Sequence, residues 1–342
     1  MNYPLTQFSK ASGCGCKIAP AELSKILAHC GASQVDLNLL IGNGDNDDAA
    51  AYALNETDAL LSTTDFFMPM VDDAYDFGCI AAANALSDIY AMGGKPIMAL
   101  AILGWPLEKI PAEIAGEVMR GAKETCASVG IQIAGGHSVE SPEPFFGLSV
   151  NGIAPIKNLK QNNGAKAGDL VAITKPLGLG IASTAGKRGL LSEEDKAEFI
   201  QHMKHVNTIG AEFAKIEGVH AMTDITGFGL AGHLIELCEA SACSAVLNYI
   251  DIPILESAKR SAAQFVFPDI TTKNFQNIQP KISPLNGEQL LVLCDPQTSG
   301  GLLVTFHENS LNEMESVCAL HNETLTVIGR LQEAKEICVE VV

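Results

Sequence analysis

Asp76-Phe-Gly-Cys-Ile-Ala-Ala-Ala-Asn-Ala-Leu-Ser-Asp-Ile-Tyr-Ala-Met92, followed by Gly93-Gly94, is the stretch on which the fold turns. It is rich in small residues, with Gly78 as its one internal glycine, and reads as a packed helix stopped by the glycine pair. Asn84, Ser87 and Asp88 fall at i, i+3 and i+4, so they form one polar stripe on an otherwise apolar helix. Working outward, Ala59–Thr64 reads as a strand before it and Ile97–Leu103 as a buried strand after it. Pro111–Val129 reads as a helix closed by Gly130, and Ile131–Ala134 and Phe146–Ile153 as strands. Upstream, Ala21–Cys30 has helical spacing behind Pro20, while residues 8–17 hold one large apolar side chain and read as a mobile arm.

Residues 155–168 are polar and turn-rich, and the domain junction is expected there. The second half predicts a strand at Leu170–Thr174, helical segments near 179–188, 192–214 and 230–241, and strands at 244–249, 289–294 and 301–306. Strands and helices alternate in both halves, which favours α/β or α+β over all-α. The expected division is an arm over 1–20, a first domain over 21–157 and a second over 158–342.

The chain has 342 residues, with 40 Asp+Glu against 22 Lys+Arg and a net charge of −18. That length suggests two domains. The acid excess argues against a duplex-binding protein, which needs clustered Lys/Arg, yet leaves room for anionic ligands held through metal ions. The 10 cysteines include no zinc-type CxxC pair. No apolar stretch approaches the ~20 residues of a membrane helix, and Met1–Lys10 lacks a signal core. A reduced, cytoplasmic protein is expected.

Two motifs tempt. Gly227-Phe-Gly-Leu-Ala-Gly232 is a literal GxGxxG, but the short, polar Val219–Thr223 is a poor first strand, which favours a glycine-rich turn opening a packed helix. Gly180–Arg188 resembles a phosphate loop but lacks the Ser/Thr after Lys187 and the right glycine spacing.

The carboxylates carry more. Asp45, Asn46, Asp47 and Asp48 sit in a glycine-flanked loop, Asp65 follows a strand, Asp88 lies on the apolar helix and Asp224 stands in Met-Thr-Asp-Ile-Thr-Gly. A buried carboxylate is costly unless paired or bound to metal, and hard oxygen donors point to Mg²⁺ rather than zinc. For any one of them alone, a cap, a turn or a solvated face is the better explanation; several at strand ends and one inside a packed helix favour metal binding. Gly135-Gly136-His137-Ser138 follows a strand and can turn backbone N–H groups toward an anion, or form an ordinary turn. Asp295-Pro-Gln-Thr-Ser-Gly-Gly301 likewise follows an expected strand, with the same two readings, one of them only a polar turn. Gly13-Cys14-Gly15-Cys16-Lys17 puts a thiol on a glycine-flanked arm, where the ammonium of Lys17 favours thiolate. The bland readings there are a redox-inert pair or a weak soft-metal site.

Together these stretches resemble the selenophosphate synthetase family. They are joined by Ser-Thr-Thr-Asp-Phe-Phe-Met-Pro (62–69), Met-Thr-Asp-Ile-Thr-Gly-Phe-Gly-Leu (222–230) and Cys-Asp-Pro-Gln-Thr-Ser-Gly-Gly (294–301). The resemblance covers essentially the whole chain. It implies the α+β, two-domain, PurM-like fold of the aminoimidazole ribonucleotide synthetase superfamily. In that fold the first domain forms a homodimer through a shared β-barrel and the second is an α/β sandwich-like unit. It implies the conversion of ATP, selenide and water to selenophosphate, phosphate and AMP. By carry-over, Asp48, Asp88 and Asp224 hold Mg²⁺, with Asp65 and Asp88 near the nucleotide. Lys17, Asp45, Asn46, Asp47, Gly136, His137 and Ser138 line the ATP site. Cys14 occupies the family's Cys or selenocysteine position, with Cys16 its companion, and Cys14 and Lys17 are the catalytic candidates. A monovalent cation such as K⁺ and a protein selenium donor also belong to the implied set. Ser9-Lys10-Ala11-Ser12 departs from the glycine-rich or His-containing arm of relatives, so no His role is transferred onto it. The rivals are another ATP-dependent enzyme of the superfamily, which would lack the Gly-Cys-Gly-Cys-Lys arm, a nucleotide-switched selenium carrier, and a nicotinamide oxidoreductase built on Gly227–Gly232.

Overall fold

The computed structural model describes residues 3–9, 12–16, 25, 26, 29, 36–42 and 47–342, with the side chains of Cys14 and Cys16 excepted. The expected helix at Ala21–Cys30 falls largely outside them. The first half runs β1 (Leu39–Ile41), β2 (Ala50–Ala53), β3 (Asp58–Phe67), α1 (Ala74–Ala91), β4 (Lys95–Trp105), α2 (Ala112–Ser128), β5 (Ile133–Glu140) and β6 (Phe145–Pro155). Its strands form one sheet in the order β1-β2-β3-β6-β4-β5, antiparallel except for the β4–β5 edge pair.

The second half opens with β7 (Leu170–Ile173), α3 (Leu179–Lys187), α4 (Glu193–Lys204), the single turn α5 (Gly210–Phe213), β8 (Val219–Asp224), α6 (Gly229–Ala240) and β9 (Cys243–Leu247). It continues with α7 (Glu256–Ala263), α8 (Ile270–Ile278), α9 (Gly287–Leu293), β10 (Leu302–Phe306), α10 (Leu311–His321), β11 (Thr326–Glu333) and β12 (Val339–Val341). The second sheet is ordered β12-β9-β11-β7-β10-β8. The result is the two-sheet α+β architecture expected.

Helix α1 organises the molecule. Asp73 caps its start by accepting from the Asp76 N–H, and Gly93, at φ +78, ends it. From Phe77 onward every residue is buried, because one flank lies on the first sheet, another on α2, and a third against α4 and β8. Two glycines allow the close approach to α2. A β-carbon at Gly78 would stand 1.9 Å from the Val118 carbonyl oxygen, and one at Gly121 2.1 Å from that of Tyr75. One apolar cluster runs from Leu61 and Ile89 through to Ile225 and Leu230, so the halves share a core.

Four readings are corrected. The residues at 289–294 form helix α9, not a strand. Their apolar run is short enough to suit either, and an Asn286–Gln289 capping box decides for helix. The helix expected over 192–214 breaks at His205, whose extended backbone (φ −69, ψ 122) separates α4 from α5. The turn expected at 135–138 is the middle of β5, where Gly136 lets two backbones touch; its β-carbon would lie 2.1 Å from the Ala101 carbonyl oxygen. Strand β4 is not buried on both faces, because among the described residues helices cover only one face of the first sheet. Ile97, Met98 and Leu100 are 46%, 40% and 38% exposed. The glycine-rich run 227–232 does open a packed helix, α6, with Gly229 at φ +71.

Candidate metal centre

Three segments distant in sequence deliver one carboxylate each. Asp48 precedes β2, Asp88 lies on α1 and Asp224 ends β8, and their ligand oxygens all fall within 4.8 Å of one another. Asp88 and Asp224 are buried and Asp48 is half-buried. Alternation along β3 explains part of this. Thr63 and Asp65 share the inner face with Ala59 and Leu61, facing α1. The Thr63 hydroxyl donates to Asp88 Oδ2 and the Thr223 hydroxyl to Asp48 Oδ1 at 2.8 Å. An all-oxygen donor set of this kind suits a hard divalent ion.

The polar stripe of α1 ties this centre to the second half. Asn84 donates to Asp65 Oδ2 and accepts from the Ser299 N–H at 2.8 Å. Asn207, in the break between α4 and α5, donates to both Ser87 Oγ and the Gly300 carbonyl at 2.8 Å. The 295–301 segment is therefore no solvated turn; every residue in it is buried, and Ser299 holds φ +52.

Two buried ionisable groups support it, and neither was singled out from sequence. Lys175 Nζ donates to the carbonyls of His205 at 2.7 Å and Ser299 at 2.9 Å. Burial pulls its pKa down to about 7, against the attraction of Glu323 and Asp224. Asp295 accepts from the Gly180 and Ile181 N–H groups at the start of α3, at 3.0 and 3.2 Å, and from Gln297 at 2.8 Å. Burial pushes its carboxyl up to about 8 despite those donors. The only sequence signal for Lys175 is a lysine at the end of an entirely apolar strand, directly before Pro176.

The arm is seated rather than loose over residues 12–16. Gly13–Cys16 forms a 3₁₀ turn, the Gly13 N–H donates to the Met68 carbonyl at 3.0 Å, and a β-carbon on Gly13 would meet Thr298 Oγ1 at 2.4 Å. It thus rests between the end of β3 and the 295–301 segment. Lys17, Asp45 and Asn46 lie outside the described residues, as does the side chain of Cys14. Asp47 is described, and its Oδ1 accepts from the Asn162 N–H at 2.8 Å. Gly136, His137 and Ser138 are not brought to the three carboxylates within one chain. They lie on edge strand β5, three strand spacings (about 14 Å) from β3.

Comparison with known proteins gives the class first. The AIR synthase related protein N-terminal domain matches residues 46–154 and the corresponding C-terminal domain residues 166–342. The chain belongs to the AIR synthase related family. Solved structures share the fold at low identity. Thiamine-monophosphate kinase from Stenotrophomonas maltophilia is 19% identical with a TM-score of 0.66, covering 94% of this chain and 95% of its own. The hydrogenase maturation protein HypE, solved in complex with ATP, is 17% identical with a TM-score of 0.62, covering 97% and 90%.

Curated relatives are much nearer. Selenide, water dikinase of Pseudomonas putida is 50% identical over 338 residues, 99% of this chain and 98% of its own. That of Shewanella baltica is 49% identical over 328 residues, 96% and 93%. Within its superfamily the chain belongs with the selenide, water dikinases. Among the described residues no helix is long and apolar enough to cross a membrane.

Proposed function

We propose that this protein makes selenophosphate, converting ATP, selenide and water to selenophosphate, phosphate and AMP. One observation carries the reading. The three carboxylates cluster, with Asp88 one turn along α1 from Asn84, which bonds Asp65 and the Ser299 N–H, next to the Thr298 on which Gly13 rests. That arrangement supports a phosphate-binding site close to the glycine-flanked thiol arm.

Asp48, Asp88 and Asp224 would hold Mg²⁺, which neutralises the triphosphate and stabilises charge during γ-phosphoryl transfer. Asn84 fixes Asp65 toward the same pocket, and the Asn207 and Lys175 contacts hold the 299–300 backbone against α1, keeping water-excluding walls around the phosphates. Cys14 guides selenium toward the γ-phosphorus and Lys17 stabilises phosphate charge. A carboxylate-lined site repels ATP without divalent ions, so binding is metal-dependent. K⁺ dependence is read by replacing it with Na⁺.

A homodimer fits the outer face of the first sheet. Phe66, Val139 and Ile153 are 48%, 45% and 37% exposed there, beside Ile97, Met98 and Leu100. So apolar a sheet face argues for a partner. A second copy on that face is also the arrangement in which Gly136–Ser138 of β5 would reach a nucleotide. Light scattering of an Ile97→Asp variant tests it; a monomer is expected, and an unchanged dimer refutes this surface.

The deciding assay is anaerobic incubation with ATP, Mg²⁺ and selenide, followed by phosphorus NMR. Selenophosphate and AMP should form together. AMP release that ignores selenide, or ADP as the end product, refutes the reading, and absence of selenide-dependent AMP favours a selenium carrier.

A further inference from the structure

One large cavity borders the arm, and its lining is charged oppositely to the carboxylate centre. It measures about 580 Å³ and is bordered by Ser12 and Gly15 of the arm, Lys187 and Arg188 at the end of α3, and Ile270 and Lys273 of α8. Asp269 is the one acid on its wall. Several basic side chains elsewhere are ion-paired. Arg120, Lys204, Arg260 and Arg330 each sit 2.6 or 2.7 Å from a carboxylate. Among the described residues none of Lys187, Arg188 and Lys273 forms an ion pair, and Lys187 Nζ reaches only the Ser9 carbonyl, at 3.4 Å. A chain with 40 acids and 22 bases has carboxylates to spare, yet among the described residues it gathers three cations against one acid around this cavity. An excess of like charges favours an anion between them.

We propose that this cavity captures the anionic selenium substrate and passes it to the Gly13–Cys16 turn that forms its wall. The inference rests on the selenophosphate reading above and supplies what that reading lacks. Hydrogen selenide is an anion at neutral pH, and a protein of net charge −18 with an acidic reaction centre repels it. A local basic vestibule beside the arm reverses the sign of the field along one route. The volume exceeds what hydroselenide needs, and the apolar wall at Phe267, Pro268 and Ile270 suits a short organic group. The same cavity therefore admits selenium either as free hydroselenide or bound to a small carboxylate-bearing thiol.

The test is steady-state kinetics of Arg188→Glu/Lys273→Glu, with Arg188→Lys/Lys273→Arg as the charge-conserving control. Lys187 is left intact because it touches the arm. Selenium is supplied as free selenide in one arm and, in the other, as the glutathione selenopersulfide with free glutathione as reductant, which leaves as glutathione disulfide and releases hydroselenide (GSSe⁻ + GSH → GSSG + HSe⁻). We expect kcat/KM for selenium to fall about tenfold in the charge-reversed variant. Its kcat at saturating selenide, its KM for ATP and its Tm should stay at wild-type values, and the control should retain wild-type capture. The wild-type salt dependence of kcat/KM should flatten in the variant. Loss in both arms assigns the cavity to free hydroselenide, and loss only with the adduct assigns it to the carried form. Unchanged kcat/KM in both arms overturns the proposal. Wild-type protein that forms no selenophosphate overturns the underlying reaction instead, so the two failures are separable.

Discussion

Asp224→Asn should stabilise the metal-free protein while abolishing its response to Mg²⁺. The ligand oxygens of Asp48, Asp88 and Asp224 lie within 4.8 Å of one another. At an effective dielectric near 20, two unit charges at that distance repel by about 3 kcal/mol. The Asp88–Asp224 pair is buried and takes most of that value; the pair with half-buried Asp48 is screened and takes less. Asparagine keeps the shape, so the loss of local hydrogen bonding offsets only part, about 1 kcal/mol. The net gain is about 2 kcal/mol, or roughly 5 °C in Tm for halves of this size. Mg²⁺ at a hundred times its Kd should raise wild-type stability by about 2.7 kcal/mol, and that rise should vanish in the variant. Scanning fluorimetry in EDTA and in graded MgCl₂ reads both effects, and AMP formation reads the functional loss. A variant that is less stable in EDTA and still climbs with Mg²⁺ refutes both the repulsion and the ligand assignment.

Three further outcomes follow from buried groups and close contacts. The Lys175 ammonium is held down to about 7 by burial, from 10.5 unfolded. The unfolded chain therefore binds the extra proton between those values, and wild-type stability rises with pH across that window, by about 2 kcal/mol from pH 7 to 9. Denaturant titrations of Lys175→Met should lack that component; equal pH slopes for the two proteins would contradict it. Asp295 works in reverse. Its folded pKa of about 8 lies above the unfolded 3.8, so its contribution is complete below pH 4 and is lost as pH climbs through 8. Asp295→Asn should gain on wild type by a few kcal/mol between pH 5 and 9, read by the same titrations. Gly78→Ala drives a methyl to 1.9 Å from the Val118 carbonyl, so α1 and α2 must separate. A loss of about 2–3 kcal/mol in thermal unfolding is expected, with ATP turnover falling as Asp88 shifts.

The framework was legible where a single element carried its own signal. Helix α1 announced itself through small apolar residues, a glycine stop and a stripe of Asn84, Ser87 and Asp88, and all three of those side chains are buried. Asp88 stood out because a carboxylate on an apolar helix demands an explanation, whereas its grouping with Asp48 and Asp224 came from the family resemblance. What failed depended on neighbours. Leu290-Leu-Val-Leu-Cys294 suits strand or helix, and the capping box at Asn286 and Gln289 carried the answer in two polar residues outside the apolar run. Gly135-Gly136 suggests a turn until Ala101 of the adjacent strand shows why side chains are excluded there. The burial of Lys175 and Asp295 was not legible locally, because partners that enclose them lie 30 or more residues away, at His205, Ser299 and Gly180.

The arm's position gives the charge distribution its logic. Gly13 packs against Thr298 of the segment bonded to α1, while Gly15 packs on Ile270 in the wall of the cavity that holds Lys187, Arg188 and Lys273. Cys14 is the residue between them, so one short turn separates a centre that needs a cation from a cavity that needs an anion. Electrostatics then dictates an order of dependence. ATP can enter the carboxylate site only with divalent ions, whereas selenium capture on Lys187, Arg188 and Lys273 proceeds without them. Lowering Mg²⁺ should therefore weaken ATP binding steeply and leave the selenide defect of the charge-reversed variant at the same fold-change. A defect that grows or disappears with Mg²⁺ would mean that the two charge clusters act on one ligand, and that the turn between them does not divide the site.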